Sequence, residues 1–205
     1  MTKPGNIILL NGTSSAGKST IAQALQRVMD EPYLHTGVDH FQLALPPGLV
    51  NIKGDLAAEP VGWEVVYGDD GLHSVRIGPI GHQLITGLYR MIAALSESGI
   101  NLIVDDVIWQ EWILHTAVTI LHPYPVYFIA IDLSQEVAEQ RERQRGDRGP
   151  GNVRYFYPHV YELNDMYDVR IDAEANDSER CAQLIKTAVA TIHPIAFERL
   201  YQTLR

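Results

Sequence analysis

Apolar residues fall along this chain in short unbroken runs, and between the runs they recur every three or four positions. Unbroken apolar runs suit strands buried on both faces, and the wider spacing suits helices that lie on them. The runs predict strands near 7–10, 33–36, 101–105, 126–132 and 168–172; the spaced pattern predicts helices near 18–29, 80–98, 109–121, 134–145 and 177–192. Ser134 and Asp177 stand where side-chain oxygens would cap two of those helices. Such alternation points to an α/β fold, a parallel sheet covered by helices on both faces. Three strands, Asn101-Leu102-Ile103-Val104-Asp105, Val126 to Asp132 and Tyr167 to Asp172, each end in an acid. They end at the carboxyl edge, where open α/β sheets collect ligands. A chain of 205 residues with no repeat or low-complexity linker reads as one domain, 1–205.

Two segments break the alternation. Between 46 and 78 the chain carries Pro46-Pro47-Gly48, then Trp63 to Tyr67, the turn signal Gly68-Asp69-Asp70-Gly71, and His73 to Ile77. This predicts an inserted hairpin, either a passive decoration or one wall of an acceptor pocket. The segment 141–154 holds Arg141, Arg143, Arg145, Arg148 and Arg154 against Glu142 and Asp147, in a chain whose net charge is -9. Arginines there favour a helix C-terminus, and with Gly146, Gly149 and Gly151 as hinges they could equally form a lid (141–158). In the lid reading, Arg141 and Arg145 meet the nucleotide, and Arg145 and Arg148 neutralise charge on a transferring phosphoryl group.

The run Ile7 to Leu10 feeds directly into Asn11-Gly12-Thr13-Ser14-Ser15-Ala16-Gly17-Lys18-Ser19-Thr20, which carries the spacing G-x-x-x-x-G-K-S between a strand and a helix. Gly12 and Gly17 are expected to turn with positive φ and bring main-chain amides onto an anion at the positive end of the helix dipole. The phosphate-binding set is therefore Gly12, Thr13, Ser14, Ser15, Ala16, Gly17, Lys18, Ser19 and Thr20. Lys18 reaches the outer phosphates and the Ser19 hydroxyl meets magnesium, so ATP and Mg2+ are the expected cofactors.

Asp39, in Thr36-Gly37-Val38-Asp39-His40-Phe41, follows the second strand on the same sheet edge as the phosphate loop. It can accept a hydroxyl proton, orient the hydroxyl, or cap a short helix through Phe41. Asp105 and Asp106 end the third strand, where an acid would hold the metal; adjacent strand residues point to opposite faces, so one of the pair faces the nucleotide. Eight histidines and the single Cys181 form no metal-ligand spacing. The aromatic group Trp109, Trp112, Tyr155, Phe156 and Tyr157 reads as core or lid packing, or as walls for an apolar acceptor. The acidic net charge opposes nucleic acid as a partner, no apolar run is long enough to span a bilayer, and one cysteine fits a cytoplasmic protein.

Taken together, the phosphate loop, Gly37-Val38-Asp39, the hairpin leading into Val75-Arg76-Ile77-Gly78-Pro79, Val104-Asp105-Asp106-Val107, Arg145-Gly146-Asp147-Arg148 and Tyr167 to Asp172 resemble the chloramphenicol phosphotransferase family, in the same order from about 6 to 190. The resemblance implies a P-loop NTPase sandwich like that of nucleoside monophosphate kinases, with sheet order 2-3-1-4-5, and ATP-dependent phosphorylation of a small-molecule hydroxyl. It implies catalytic roles for Asp39 and Lys18, lid roles for the arginines of 141–148, and a place beside adenine for Ala173-Glu174-Ala175. The chain departs from the family in the bulk of Ile108-Trp109-Gln110-Glu111-Trp112 and in an added amphipathic terminus, 194–205, whose apolar residues suit a homodimer contact. A mainly apolar pocket would favour an antibiotic-like acceptor, and a charged one a nucleoside-, shikimate- or sugar-like metabolite. A nucleotide-dependent switch without transfer activity is the rival of a different class.

Overall fold

Ile7, Ile8, Leu9 and Leu10 are all fully buried, because the strand they form lies at the centre of a sheet with helices on both sides. Ile7 and Leu9 join one core and Ile8 and Leu10 the other, as the two-residue period of a strand requires. The computed structural model describes residues 3–51, 59–69, 71–146 and 150–204, with Asn51 and His73 described by backbone alone. In chain order the elements are β1 (Ile7–Asn11), α1 (Lys18–Val28), β2 (Tyr33–Gly37), α2 (Val38–Leu43), a 3-10 turn (Pro47–Leu49), β3 (Val50–Asn51), β4 (Trp63–Gly68), β5 (Gly71–Ile77), α3 (Pro79–Glu97), β6 (Asn101–Asp106), α4 (Glu111–Leu121), β7 (Val126–Asp132), α5 (Gln135–Arg145), α6 (Asn152–Leu163), β8 (Val169–Asp172), α7 (Ser178–Thr191) and α8 (Ala196–Thr203).

The main sheet runs β2-β6-β1-β7-β8, all parallel. Counting only the strands of this sheet, that is the expected order 2-3-1-4-5. Helices α1 and α7 cover one face; α3, α4 and α8 cover the other. The order places the ends of β1, β2 and β6 side by side, so the phosphate loop, Asp39 and Asp105 converge at one edge.

The inserted segment forms its own small sheet, β3-β4-β5. Trp63 pairs with Ile77 and Val65 with Val75 on one face, while Glu64 pairs with Arg76 on the other. The Glu64 carboxylate lies 3.0 Å from the Arg76 guanidinium, with side-chain exposures of 8% and 22%, so that charge is used on the face away from the cavity described below.

Three helices exceed the expected set. In α2 it is Gly37 that occupies the cap position, so Asp39 stands in the first turn rather than capping it. In α6, Val153, Phe156, Tyr157, Val160 and Tyr161 make an apolar stripe at helical spacing, and Pro158 inside the helix masks the pattern from sequence. The Glu142 carboxylate fastens the start of α6 by accepting from Gly151 N at 3.0 Å and Val153 N at 2.9 Å. In α8, Phe197 and Leu200 are buried against β7 and α4, and Phe197 meets Phe128 with ring centres 5.1 Å apart. Phe197 and Leu200 of that terminus are thus spent inside the chain itself, while Ile195 is 37% exposed. Asp168 anchors α8 by accepting from Ile195 N at 2.7 Å and Ala196 N at 2.9 Å. Among the described residues, no helix is long and apolar enough to cross a membrane.

Candidate active site

The loop between β1 and α1 turns at Ser15 (φ 60°) and Gly17 (φ 92°), both in the left-handed region. Gly12 does not have the positive φ expected of it. Its requirement is one of space, since a Cβ there would lie 2.8 Å from the Ile131 carbonyl oxygen on β7. Lys18 is 8% exposed, and its ammonium donates to Gly12 O and Thr13 O, each at 2.8 Å, so it is held over the loop it serves. Thr13 Oγ1 and Ser14 Oγ are buried and have no hydrogen-bond partner among the described residues. An unsatisfied buried hydroxyl costs roughly 1–3 kcal/mol, and for Ser14, which lines the cavity over the loop, phosphate oxygens are partners that would remove the penalty. Behind the loop, Tyr161 of α6 donates to Ile131 O at 2.6 Å and accepts from Thr13 N at 3.4 Å; burial raises its phenol well above the usual range.

The two acids that end β6 separate as strand geometry demands. Asp105 faces α1, and its Oδ2 accepts from Ser19 Oγ at 2.5 Å; burial alone would raise its carboxyl, but the neighbouring His35 and Ser19 with the Lys18 charge bring it below the ordinary carboxylate range. Asp106 does not join the metal set expected of it. It faces α3, is 2% exposed, accepts from Tyr89 Oη at 2.6 Å and Val107 N at 2.7 Å, and burial pushes its carboxyl up to about 6. Ser19 and Asp105 are therefore the oxygen pair that fits a hard divalent cation.

A cavity of about 520 Å³ opens over the phosphate loop, walled by Ser14, Ser15 and Gly17 to Thr20 on one side and by Asp39, Asp105, Arg141 and Arg145 on the other. Arg141 ties the loop to the turn after β8, donating to Ala16 O at 3.4 Å and Ala173 O at 2.7 Å. That places it beside the segment expected to meet adenine. Arg148 lies outside the described residues.

A second cavity, about 800 Å³, adjoins the first. Ser14, Val38, Asp39, Val107 and Arg145 wall both, so Asp39 and Arg145 stand at the junction. Trp63, Val65, Tyr67 and Val75 of the hairpin form one side, and Trp109 and Phe156 another. Trp109 packs against Trp63 at 5.8 Å and edge-on to Phe156 at 5.2 Å between ring centres. Among the described residues, the charged groups lining this cavity are Asp39 and Arg145 alone.

Of the five aromatics that the sequence singled out, Trp109 and Phe156 line the cavity, and Tyr155 packs edge-on against Phe156 and His159. Trp112 instead donates to Gln110 Oε1 at 2.5 Å, and Tyr157 donates to Leu133 O at 3.1 Å. Missed altogether were Gln42 of α2 and Asn152 of α6, which line the cavity as polar groups, and His35, which lies beside Asp105. The signal for Gln42 was its place one helical turn after Asp39.

The chain matches the family described as chloramphenicol phosphotransferase-like protein over residues 5–190. A Mycobacterium tuberculosis protein named as a candidate O-phosphotransferase, in strains CDC 1551 / Oshkosh and H37Rv, is 36% identical over 200 residues, covering 96% of this chain and 88% of its own. Among solved structures, a sugar kinase from Janibacter sp. HTCC2649 superposes with TM-score 0.65 at 15% identity over 91% of this chain and 95% of that one. The Mycobacterium tuberculosis APS kinase CysC, in complex with AMPPNP and APS, does so with TM-score 0.61 at 14% identity over 92% and 99%. At these identities the likeness to both kinases is one of fold.

Proposed function

Because the chain belongs to the chloramphenicol phosphotransferase-like family of P-loop O-phosphotransferases, we propose that it transfers the γ-phosphoryl group of ATP to a hydroxyl of an uncharged small molecule with a large apolar body, in the manner of an antibiotic-modifying kinase. The observation that carries this reading is the position of Asp39, in the shared wall between a polar cavity over the phosphate loop and an apolar one lined by Trp63, Tyr67, Trp109 and Phe156.

In this mechanism the acceptor lies with its apolar body against the hairpin and α6, and its hydroxyl reaches Asp39. The Asp39 carboxylate accepts the hydroxyl hydrogen bond, orients the oxygen towards the γ-phosphorus, and takes the proton as the new P–O bond forms and the bond to the ADP oxygen breaks. Phosphoryl transfer is largely a matter of positioning and charge, so Lys18 and Arg145 serve by stabilising negative charge on the transferred group. Ser19 and Asp105 would hold a magnesium ion, which would supply further neutralisation of the phosphates.

The pocket speaks against a sugar, and against shikimate or another anionic metabolite, as acceptor. Polyols need many hydrogen-bond partners and carboxylates need a cation, whereas the described wall is mostly aliphatic and aromatic, and its one cation, Arg145, also faces the phosphate side. The test is a mass-spectrometric screen of the purified protein with ATP and magnesium against two sets of alcohols. One set holds neutral aromatic and alicyclic compounds, amphenicols among them; the other holds sugars, shikimate and nucleosides. The expected result is gain of a phosphoryl group within the first set; product confined to the second set, or none in either, contradicts the proposal.

A further inference from the structure

Asp105 is held from two sides, and one of them lies outside the phosphate loop. While Oδ2 accepts from Ser19, Oδ1 lies 3.1 Å from His35 Nε2 on β2, and the two side chains are only 15% and 12% exposed. The parallel register sets His35 opposite Ile103 and Gly37 opposite Asp105. His35 and Asp105 are thus diagonal neighbours on one face of the sheet, the face that carries Ser19. The contact is a close polar approach rather than a well-aligned hydrogen bond, since His35 Nε2 forms no hydrogen bond of good geometry among the described residues; its ring meets His40 edge-on at 5.7 Å between centres. The backbone closes the third side, since a Cβ on Gly37 would lie 2.1 Å from Asp105 Oδ1.

We propose that His35 is a positioning residue for the magnesium carboxylate: by engaging Oδ1 of Asp105 it fixes the rotation of the carboxylate and keeps Oδ2 turned to Ser19. The proposal rests on the reading of Ser19 and Asp105 as the magnesium pair. Rotation of an aspartate carboxylate about its last bond is broad and weakly restrained. A carboxylate on an edge-facing strand end therefore needs a second anchor if one oxygen is to stay committed. Groups that hold a metal ligand without touching the metal are worth about 10–100-fold in metal affinity. Nothing in the phosphate-loop spacing calls for a histidine here, because β2 supplies it from a separate strand at the edge of the sheet.

The test uses the full chain and reads equilibrium ATP binding across a magnesium titration, with metal-free ATP binding in EDTA as the second readout. For His35→Ala the magnesium midpoint should rise by about 10–100-fold while metal-free ATP affinity stays within about twofold. His35→Phe, which keeps the ring bulk without a nitrogen, should behave the same, and His35→Gln, whose amide nitrogen can reach Oδ1, should recover most of the loss. An unchanged midpoint in both His35→Ala and His35→Phe, alongside a raised midpoint in Asp105→Asn, overturns the proposal and leaves the magnesium pair standing. Equal loss of metal-free and magnesium-dependent binding also overturns it, since that is the mark of a merely structural histidine. If Asp105→Asn itself leaves the midpoint unmoved, the magnesium reading fails instead.

Discussion

Most of the wall around the phosphate-side cavity comes from one continuous stretch, 14–23, whereas the acceptor-side wall is gathered from α2, the hairpin, the segment after β6, and α6. The first is polar and depends on main-chain geometry: Ser15 and Gly17 in left-handed conformations, Gly12 against Ile131, and Lys18 on two carbonyls. The second is apolar and depends on side-chain packing among residues far apart in sequence, such as Trp63, Trp109 and Phe156. Phosphate presents the same geometry whatever the acceptor, so a short local motif can encode its site. An acceptor wall has to be assembled by the tertiary fold, and it can change without disturbing the loop. Asp39 and Arg145 are the described charged residues common to both.

Binding effects of substitutions in each half should stay within that half, and a junction residue should act on turnover, which needs both. Apart from Asp39, the largest effect belongs to Arg145→Ala, which removes charge at the junction and should lower turnover about a thousandfold in steady-state kinetics. Lys18→Ala should cost about 10²–10³ in turnover and weaken ATP binding in calorimetry, with acceptor binding nearly unchanged. For Trp109→Ala the expected loss is acceptor affinity, on the order of tenfold in KM, with ATP affinity preserved. A comparable loss of ATP affinity in Trp109→Ala would erase the distinction between the halves.

The remaining effect, on stability rather than on activity, lies behind both cavities. Burial raises the Asp106 carboxyl from 3.8 to about 6, so between roughly pH 4 and 6 the folded chain holds a proton that the unfolded chain releases. Stability from this group is therefore greatest at the acid end and declines as pH rises through 6, by on the order of 3 kcal/mol at 1.36 kcal/mol per unit. Tyr89 donates to the ionised carboxylate at 2.6 Å and opposes that loss. Denaturant unfolding of Tyr89→Phe should accordingly show a destabilisation of about 1 kcal/mol near pH 5 that grows to about 2–3 kcal/mol at pH 8. A penalty that shrinks with rising pH would contradict the assignment.

The five sheet strands and five of the helices were legible because unbroken apolar runs such as Ile7 to Leu10 and Val126 to Ile131 have few alternatives to a buried parallel strand, whereas the strand order was implied by the family resemblance alone. The phosphate loop and Asp39 were legible because their chemistry sits in consecutive residues. Helix α6 was not, because Pro158 interrupts an otherwise regular stripe, nor was the capping of α8 by Asp168, which joins residues 27 and 28 positions apart. The choice between Asp105 and Asp106 turns on which face of β6 meets α1. Periodicity shows that the two faces differ and leaves open which is which until α1 and α3 are placed. His35 escaped notice for the same reason, since its role exists only through the β2–β6 register.

The most direct test of the central claim, that Asp39 couples the two cavities by directing an acceptor hydroxyl at the γ-phosphate, is Asp39→Asn with ATP affinity and acceptor phosphorylation measured on the same preparation. The account predicts ATP affinity within about twofold of the parent chain and a fall in turnover of about 10²–10⁴-fold. Undiminished phosphorylation of the acceptor would contradict it.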